Sequence, residues 1–186
     1  MLYTPITQCR ICANTEFEPV INLGMQALTG VFPSDIETVE IGPLETIKCH
    51  SKTGKDHCGL VQLRHNYDLE KLYGDNYGYR SGLNNSMVRH LHGIVDEITK
   101  RVSLNSGDLV IDIAGNDSTL LQAYDKQLQL MSIDPTAEKF KSYYPEHISY
   151  IADFFSSEIV HRQIGRKARV VTSIILSLKC QGSTIK

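Results

Sequence analysis

Apolar residues fall along the chain in two rhythms. Through residues 1–65 they come as short pieces, such as Glu18-Pro-Val-Ile-Asn-Leu23 and Gly59-Leu-Val-Gln-Leu63, punctuated by Pro19, Gly24, Gly30, Pro33, Gly42 and Pro43. Pieces this short, broken by turn formers, predict β-hairpins and turns rather than a large core. Residues 66–85 are a polar, tyrosine-rich stretch. Met87, Leu91, Ile94, Val95, Ile98 and Val102 then recur at helical spacing, with Asn85 or Ser86 as the expected cap. From residue 104 onward short apolar runs, expected as strands over 109–114, 128–133, 147–151 and 168–176, alternate with expected helices over 117–126, 136–143 and 156–164. That alternation predicts βαβ units and an open parallel sheet. The fold class expected is α/β: a small β-rich module over 1–65, a connector and helix over 66–103, and about four parallel strands of a Rossmann-like half-domain over 104–175.

Composition narrows the partners. The 186 residues carry 19 Lys and Arg against 21 Asp and Glu, a formal charge of −2. This balance gives no general expectation of a nucleic-acid or anionic-membrane partner. Hydrophobic residues at 41% and charged residues at 22% describe a globular chain. No run approaches the ~18 to 20 apolar residues of a membrane span. The first residues lack the basic stretch and apolar core of a secretory signal, so a cytoplasmic location is expected.

A β-rich module of 65 residues usually needs a staple. Four of the five cysteines, Cys9, Cys12, Cys49 and Cys58, lie in the first third, and Cys180 stands apart. In a reducing compartment thiols grouped in this way are more often metal ligands than disulfides. Cys9-Arg-Ile-Cys12 is a C-x-x-C knuckle; 36 residues separate it from Cys49, and eight lie between Cys49 and Cys58. Zinc takes four such ligands in a tetrahedron. His50 and His57 lie within the gap of the looser pair, and either can replace a thiolate. A redox C-x-x-C or plainly buried thiols are the competing readings, although the redox motif normally opens a helix after a strand.

The segment Asp112-Ile-Ala-Gly-Asn-Asp-Ser-Thr-Leu-Leu121 is richest in chemistry. A strand is expected to end at Ile113 and a helix to begin near Asp117. Ala114 and Gly115 let a ligand approach the backbone, and the helix start offers free N–H groups. Open α/β sheets bind nucleotides at such turns. The phosphate fingerprint G-x-G-x-x-G is absent, and Asp112 and Asp117 would repel a pyrophosphate but suit a cationic ligand. Asp134 follows the second expected strand, 19 residues past Gly115, where an acid commonly takes ribose hydroxyls. After the third strand come Asp153, Phe154 and Phe155, an acid for an adenine amine and aromatics to stack on it. Singly, each acid reads as a helix cap and each phenylalanine as core. Their joint placement after successive strands fits S-adenosylmethionine better than NAD or ATP.

These motifs run in a familiar order: Cys9-x-x-Cys12, Leu23-Gly24, Cys58-Gly-Leu-Val-Gln-Leu63, Tyr77-Gly-Tyr-Arg-Ser-Gly82, Asp112-Ile-x-x-Asn-Asp-x-Thr-Leu-Leu121, Ile133-Asp-Pro-Thr136 and Asp153-Phe-Phe-Ser156. Over roughly residues 6 to 174 the chain resembles the zinc-containing, S-adenosylmethionine-dependent C-methyltransferases that act on nucleotide-linked deoxysugars. The resemblance implies zinc at Cys9, Cys12, Cys49 and Cys58. It implies cofactor contacts at Asp112, Gly115, Asn116, Asp134, Asp153 and Phe154, in a class I methyltransferase domain. The implied substrate is a nucleotide-linked keto sugar: a base removes the proton beside the ketone, and the enolate attacks the donor's methyl group. A connector tyrosine, best matched by Tyr79 and next by Tyr77, is implied in the proton transfer, where a phenol can donate to an enolate oxygen. Tyrosines that merely pack the connector are the alternative. Arg80 and Ser81 are expected to orient substrate.

Three departures stand out. The family's second cysteine pair is usually C-x-x-C. Ala114 and Ser118 replace two glycines of the turn; alanine is expected to be harmless at a negative φ, and serine to suit a first helical turn. The family continues past the fourth strand into a second half with a glutamate–histidine pair, whereas residues 176–186 do not match it. A truncated or frame-shifted chain is therefore expected. The rival expectation is a non-catalytic binding fragment whose uncovered edge, with Val170, Val171, Ile174 and Ile175, pairs with another copy or with a separate second half.

Overall fold

In the computed structural model the described residues are 1–28, 35, 39–54, 56–73 and 77–174; Cys180, Ile175 and the tail over 176–186 lie outside them. The chain divides into two compact units, Met1–Gly78 and a second that opens at Tyr79.

The broken apolar pieces of the first unit become short antiparallel strands. These are β1 (Tyr3–Pro5), β2 (Phe17–Ala27), β3 (Ile41–Cys49), β4 (Val61–Leu63) and β5 (His65–Tyr67), followed by helix α1 (Leu69–Tyr73). One sheet has the order β2-β3-β4, and β1 pairs with β5. The register of β2 on β3 slips between Pro19 and Ile21 and again between Asn22 and Met25. Both slips have local causes. Proline cannot donate to a ladder and is tolerated at an edge, and Gly24 takes a positive φ of 70° while its N–H donates to the Asn22 side chain at 2.8 Å. The apolar core here is small, with Ile6, Cys9, Ile47 and Cys49 its buried members. A core of that size needs the additional crosslink that its thiols offer.

In the second unit the helical periodicity is realised as α2 (Asn85–Arg101). Its cap is Asn84, one residue earlier than expected, whose side chain accepts from the Ser86 N–H. The apolar runs become β6 (Leu109–Ile113), β7 (Gln129–Ile133), β8 (Ile148–Ile151) and β9 (Val170–Ser173), all parallel, in the order β8-β7-β6-β9. All five residues of β6 are buried, as expected of a strand covered on both faces. Val110 joins Leu91 and Val95 of α2 with Leu120, Leu121, Leu130 and Ile148 in one cluster. Leu109, Ile111 and Ile113 pack with Ile133, Ile151 and Ile159 in another. The chain steps outward from β6 to β8 and then returns to β9 on the other side of β6. That reversal falls between β6 and β9, and such sheets take ligands at the carboxyl ends of the strands there.

The connecting helices are shorter than the periodicity predicts. Residues 117–126 hold turns and a 3₁₀ segment, Leu121–Ala123; residues 136–143 likewise hold turns and Lys141–Tyr143. Over 156–164 a short α3 (Ser157–Ile159) runs into a π-helical turn, Val160–Ile164. The first two shortfalls share a cause. Asp117 accepts from the N–H and hydroxyl of Thr119, and Asp134 does the same with Thr136. Such local bonds offer the backbone an alternative to the helix. No helix among the described residues is long and apolar enough to cross a membrane.

Candidate functional site

The first unit gathers Cys9 and Cys12 on the turn before β2, Cys49 at the end of β3, and Cys58 ahead of β4. Their four Sγ atoms all lie within 4.8 Å of one another, with Cys9–Cys58 at 3.6 Å and Cys12–Cys49 at 3.5 Å. A zinc ion with arms of about 2.3 Å needs tetrahedral edges of about 3.8 Å, so the set fits. The cluster consists of the four thiols alone; His50 and His57 instead pack edge to face with ring centroids 5.5 Å apart. The thiols also show why a cation belongs among them. At Cys9 burial opposes ionisation, but the Cys12 and Ile11 N–H groups outweigh it and lower the thiol to about 6. At Cys58 the Leu60 N–H favours the thiolate, but burial and the sulfurs of Cys12, Cys9 and Cys49 push it up to about 12. Sulfurs this close resist sharing negative charge until a divalent ion balances it.

Supporting residues hold the thiols in place. Asn14 Nδ2 donates to Cys49 Sγ at 3.4 Å and to the carbonyls of Glu16 and His50. Arg10, inside the knuckle, donates to Gln62 Oε1, the Leu63 and His65 carbonyls and Asn66 Oδ1, tying the knuckle to β4 and β5. Four protein ligands make a closed site, which is structural rather than catalytic. Metal analysis of the purified chain is expected to find about one zinc per chain, and Cys49→Ser is expected to lose it and to unfold the first unit. Less than half an equivalent in the native chain would sink the assignment.

The second unit assembles its site at the carboxyl ends of its strands. Asp112 lies in β6, Gly115 and Asn116 in the turn after it, Asp134 just past β7, and Asp153 and Phe154 just past β8. Asp112, Gly115, Asn116 and Asp134 are buried, Phe154 is half-buried and Asp153 is exposed. The turn brings the first four together. The Asn116 N–H donates to Asp134 Oδ2 at 2.9 Å, and Thr172 on β9 donates to Asp112 Oδ1 at 2.7 Å. A Cβ on Gly115 would lie 2.5 Å from Ser132 Oγ and 3.2 Å from Asp112 Oδ2, so only glycine fits there. Asp153 accepts from the N–H of Phe154 at 2.7 Å, and among the described residues neither hydrogen-bonds to the turn. Tyr79 is exposed, and Tyr77 is half-buried with its ring 5.5 Å from that of Tyr73.

The turn is not the start of a helix. Ala114, Asn116 and Ser118 take φ of 58°, 52° and 65°, alternating with Gly115 and Asp117. The condition under which alanine would be harmless, a negative φ at Ala114, is not met, and the expectation of a first helical turn at Ser118 is corrected. The left-handed region suits asparagine but penalises alanine and serine by about 1 kcal/mol each. The family's glycines stand at these two positions, and here alanine and serine adopt the left-handed φ that glycine takes without penalty. Ser118 recovers part of its penalty through the Gln122 side chain, which donates to its hydroxyl at 3.0 Å. Ala114→Gly is expected to raise stability by about 0.5–1 kcal/mol in urea unfolding. Gly115→Ala is expected to lower it. A destabilised Ala114→Gly chain would show that the strain is absent.

Ser132, Thr172 and Tyr144 escaped the sequence reading. Ser132 and Thr172 stand level with the expected Asp112 across β7, β9 and β6. All three are buried, so each strand breaks its apolar run with a polar residue at the same height. That shared offset within each run was the readable signal. Tyr144 donates to the Asn116 carbonyl at 2.7 Å and lies 2.9 Å from the Ser132 hydroxyl. Burial, and then the charges of Asp134, Asp112 and Asp117, raise its hydroxyl above the ordinary phenol range, so it stays a donor.

Asp112 is the electrostatic centre of the group. Burial pushes its carboxyl up to about 7; the Thr172 hydroxyl opposes the shift and the charge of Asp134 adds to it. A carboxyl raised in the fold stabilises it least when ionised. Its favourable contribution is full below the unfolded value of 3.8 and fades as pH climbs toward 7. Asp112→Asn is therefore expected to gain stability over the native chain at pH 8 relative to pH 4. Parallel stability curves for the two proteins across that range would refute the shift.

Comparison with known proteins supports the class. Residues 9–73 match the family described as "Putative zinc binding domain". The chain is also similar to the C-methyltransferase NovU of Streptomyces niveus, 27% identical over 135 residues, which cover 70% of this chain and 30% of that protein. The chain thus spans under a third of the length of this relative. Together these findings uphold the resemblance carried by the motifs: a zinc-binding module and a partial Rossmann-like sheet, in a chain related to a C-methyltransferase.

Proposed function

We propose that the chain is the zinc module and cofactor-binding part of an S-adenosylmethionine-dependent C-methyltransferase acting on a nucleotide-linked keto-deoxysugar in the cytoplasm. The observation that carries this reading is the line of carboxylates at the ends of successive parallel strands, Asp112 and Asp134 buried and Asp153 exposed, beside a glycine that no side chain can replace. Similarity to NovU points the same way. The residues fit the donor: acids suit its sulfonium and amine, where a pyrophosphate would be repelled. Bound there, S-adenosylmethionine would supply an electrophilic methyl group.

The chain's own residues then have distinct roles. Asp134 accepts from a ribose hydroxyl through the second lone pair of Oδ2, whose first is engaged by the Asn116 N–H, while Oδ1 is filled by the N–H and hydroxyl of Thr136. Asp153 accepts from the adenine amine, Phe154 stacks on the ring, and Gly115 lets the backbone close on the ligand. Tyr79 holds or returns a proton at the enolate oxygen, with Tyr77 the alternative phenol. The zinc holds the first unit together and takes no part in the chemistry. A non-catalytic chain that self-associates through β9, the edge strand of the sheet among the described residues, where Val171 is exposed, draws no support from the comparisons.

Calorimetric titration with S-adenosylmethionine and a methyl-transfer assay over a panel of nucleotide-linked keto sugars test the proposal. The assay is run with the chain alone and with the remaining part of a longer relative supplied. Asp134→Ala is expected to weaken cofactor binding at least tenfold, about 1.4 kcal/mol. Unchanged affinity would refute its role, and no uptake by the native chain would refute the cofactor.

A further inference from the structure

Four consecutive residues, Tyr79 to Gly82, are fastened to two consecutive residues of the turn after β6. Asn116 Nδ2 donates to the Tyr79 carbonyl at 3.1 Å, and its Oδ1 accepts from the Ser81 N–H at 2.9 Å. Those are the two groups that an extended chain presents along one edge, and Arg80 between them is extended at φ −137° and ψ 126°. The side-chain amide thus does what a neighbouring strand would do. Asp117 takes the next step. Its Oδ2 accepts from the Gly82 N–H at 2.8 Å and lies 3.6 Å from the Arg80 guanidinium, which also stacks 3.7 Å above the Tyr143 ring.

The fit is close on both sides. A Cβ on Gly82 would sit 2.8 Å from Asp117 Oδ2, so the glycine of Tyr79-Arg-Ser-Gly82 is matched to this carboxylate. Asp117 is only 1% exposed, and its other oxygen is taken by Thr119. A charge so enclosed cannot release its partners to water cheaply. Asn116 is committed in the same way: its N–H is on Asp134 and its carbonyl under Tyr144, while both side-chain polar atoms serve the segment.

We infer that Asn116 and Asp117 are positioning residues whose task is to hold Tyr79 at the carboxyl end of the parallel sheet. The inference rests on the reading of Tyr79 as the proton-transfer residue. Cofactor turn and phenol are thereby one built unit, because the turn that closes on the ligand also carries the backbone of residue 79.

The test uses the whole chain with 3-fluorotyrosine at position 79 and follows its ¹⁹F resonance together with amide hydrogen exchange. Asn116→Gly removes the side-chain amide while tolerating the positive φ. Arg80→Gln breaks the ion pair from the segment's side and leaves the turn untouched. In both variants the residue 79 resonance is expected to move toward that of free fluorotyrosine. Protection at the Ser81 and Gly82 amides is expected to fall at least tenfold, with β6 and β7 amides changing less than threefold. A resonance and Ser81 protection unchanged in Asn116→Gly would overturn the inference, as would equal loss of protection across β6 and β7, which marks general unfolding. Cofactor calorimetry on the native chain is a separate arm: its failure removes the proposed cofactor and leaves the positioning result to be judged by the cofactor-free spectra.

Discussion

Charge taken out of water has to be met by something, and both units are organised around that demand. In the first, four thiols are drawn so close that they cannot share negative charge without a cation. In the second, Asp112, Asp117 and Asp134 are each 5% exposed or less, within one stretch of strand ends and turn. Each solves the problem differently. Asp117 gathers N–H groups, a hydroxyl and a guanidinium; Asp134 gathers N–H groups and a hydroxyl; Asp112 has a single Thr172 hydroxyl, and burial pushes its carboxyl up to about 7. The irregular backbone around them is the means by which those donors are delivered.

That view accounts for the strain in the turn. Left-handed φ values at Ala114, Asn116 and Ser118 let the chain reverse its amide directions within a few residues. The Asn116 N–H then reaches Asp134, while its side chain faces the other way toward Tyr79 and Ser81. A regular helix from Asp117 would align these groups along one axis and leave Asp134 and the segment before α2 without them. Strain at Ala114 and Ser118 is maintained because the surrounding hydrogen bonds outweigh it.

The two units carry separate parts of the functional case. The closed thiol set makes the first a structural element, upheld by its match to a zinc-binding family. The chemistry is assigned to the second, where the strand order puts the turn of β6 beside β9 at the reversal of the sheet.

Much of this was legible beforehand. Runs such as Leu109–Ile113 carry their strand identity in unbroken burial, the α2 face carries its own in helical spacing, and the thiols carry theirs in ligand type. These are properties of residue type and period, which a linear chain displays directly. The helices expected at 117–126 and 136–143 were misjudged because Asp117 and Asp134 bond to threonines two residues on, a local choice that periodicity does not register. What only the folded chain decided is which distant residues share a carboxylate or a thiol cluster. Four cysteines rather than a histidine among them, Thr172 on Asp112, and Gly82 against Asp117 all join groups far apart in sequence. Sequence sets the chemistry each residue can offer; which partners meet it depends on strand order and turn geometry, and those emerge only when the whole sheet is assembled.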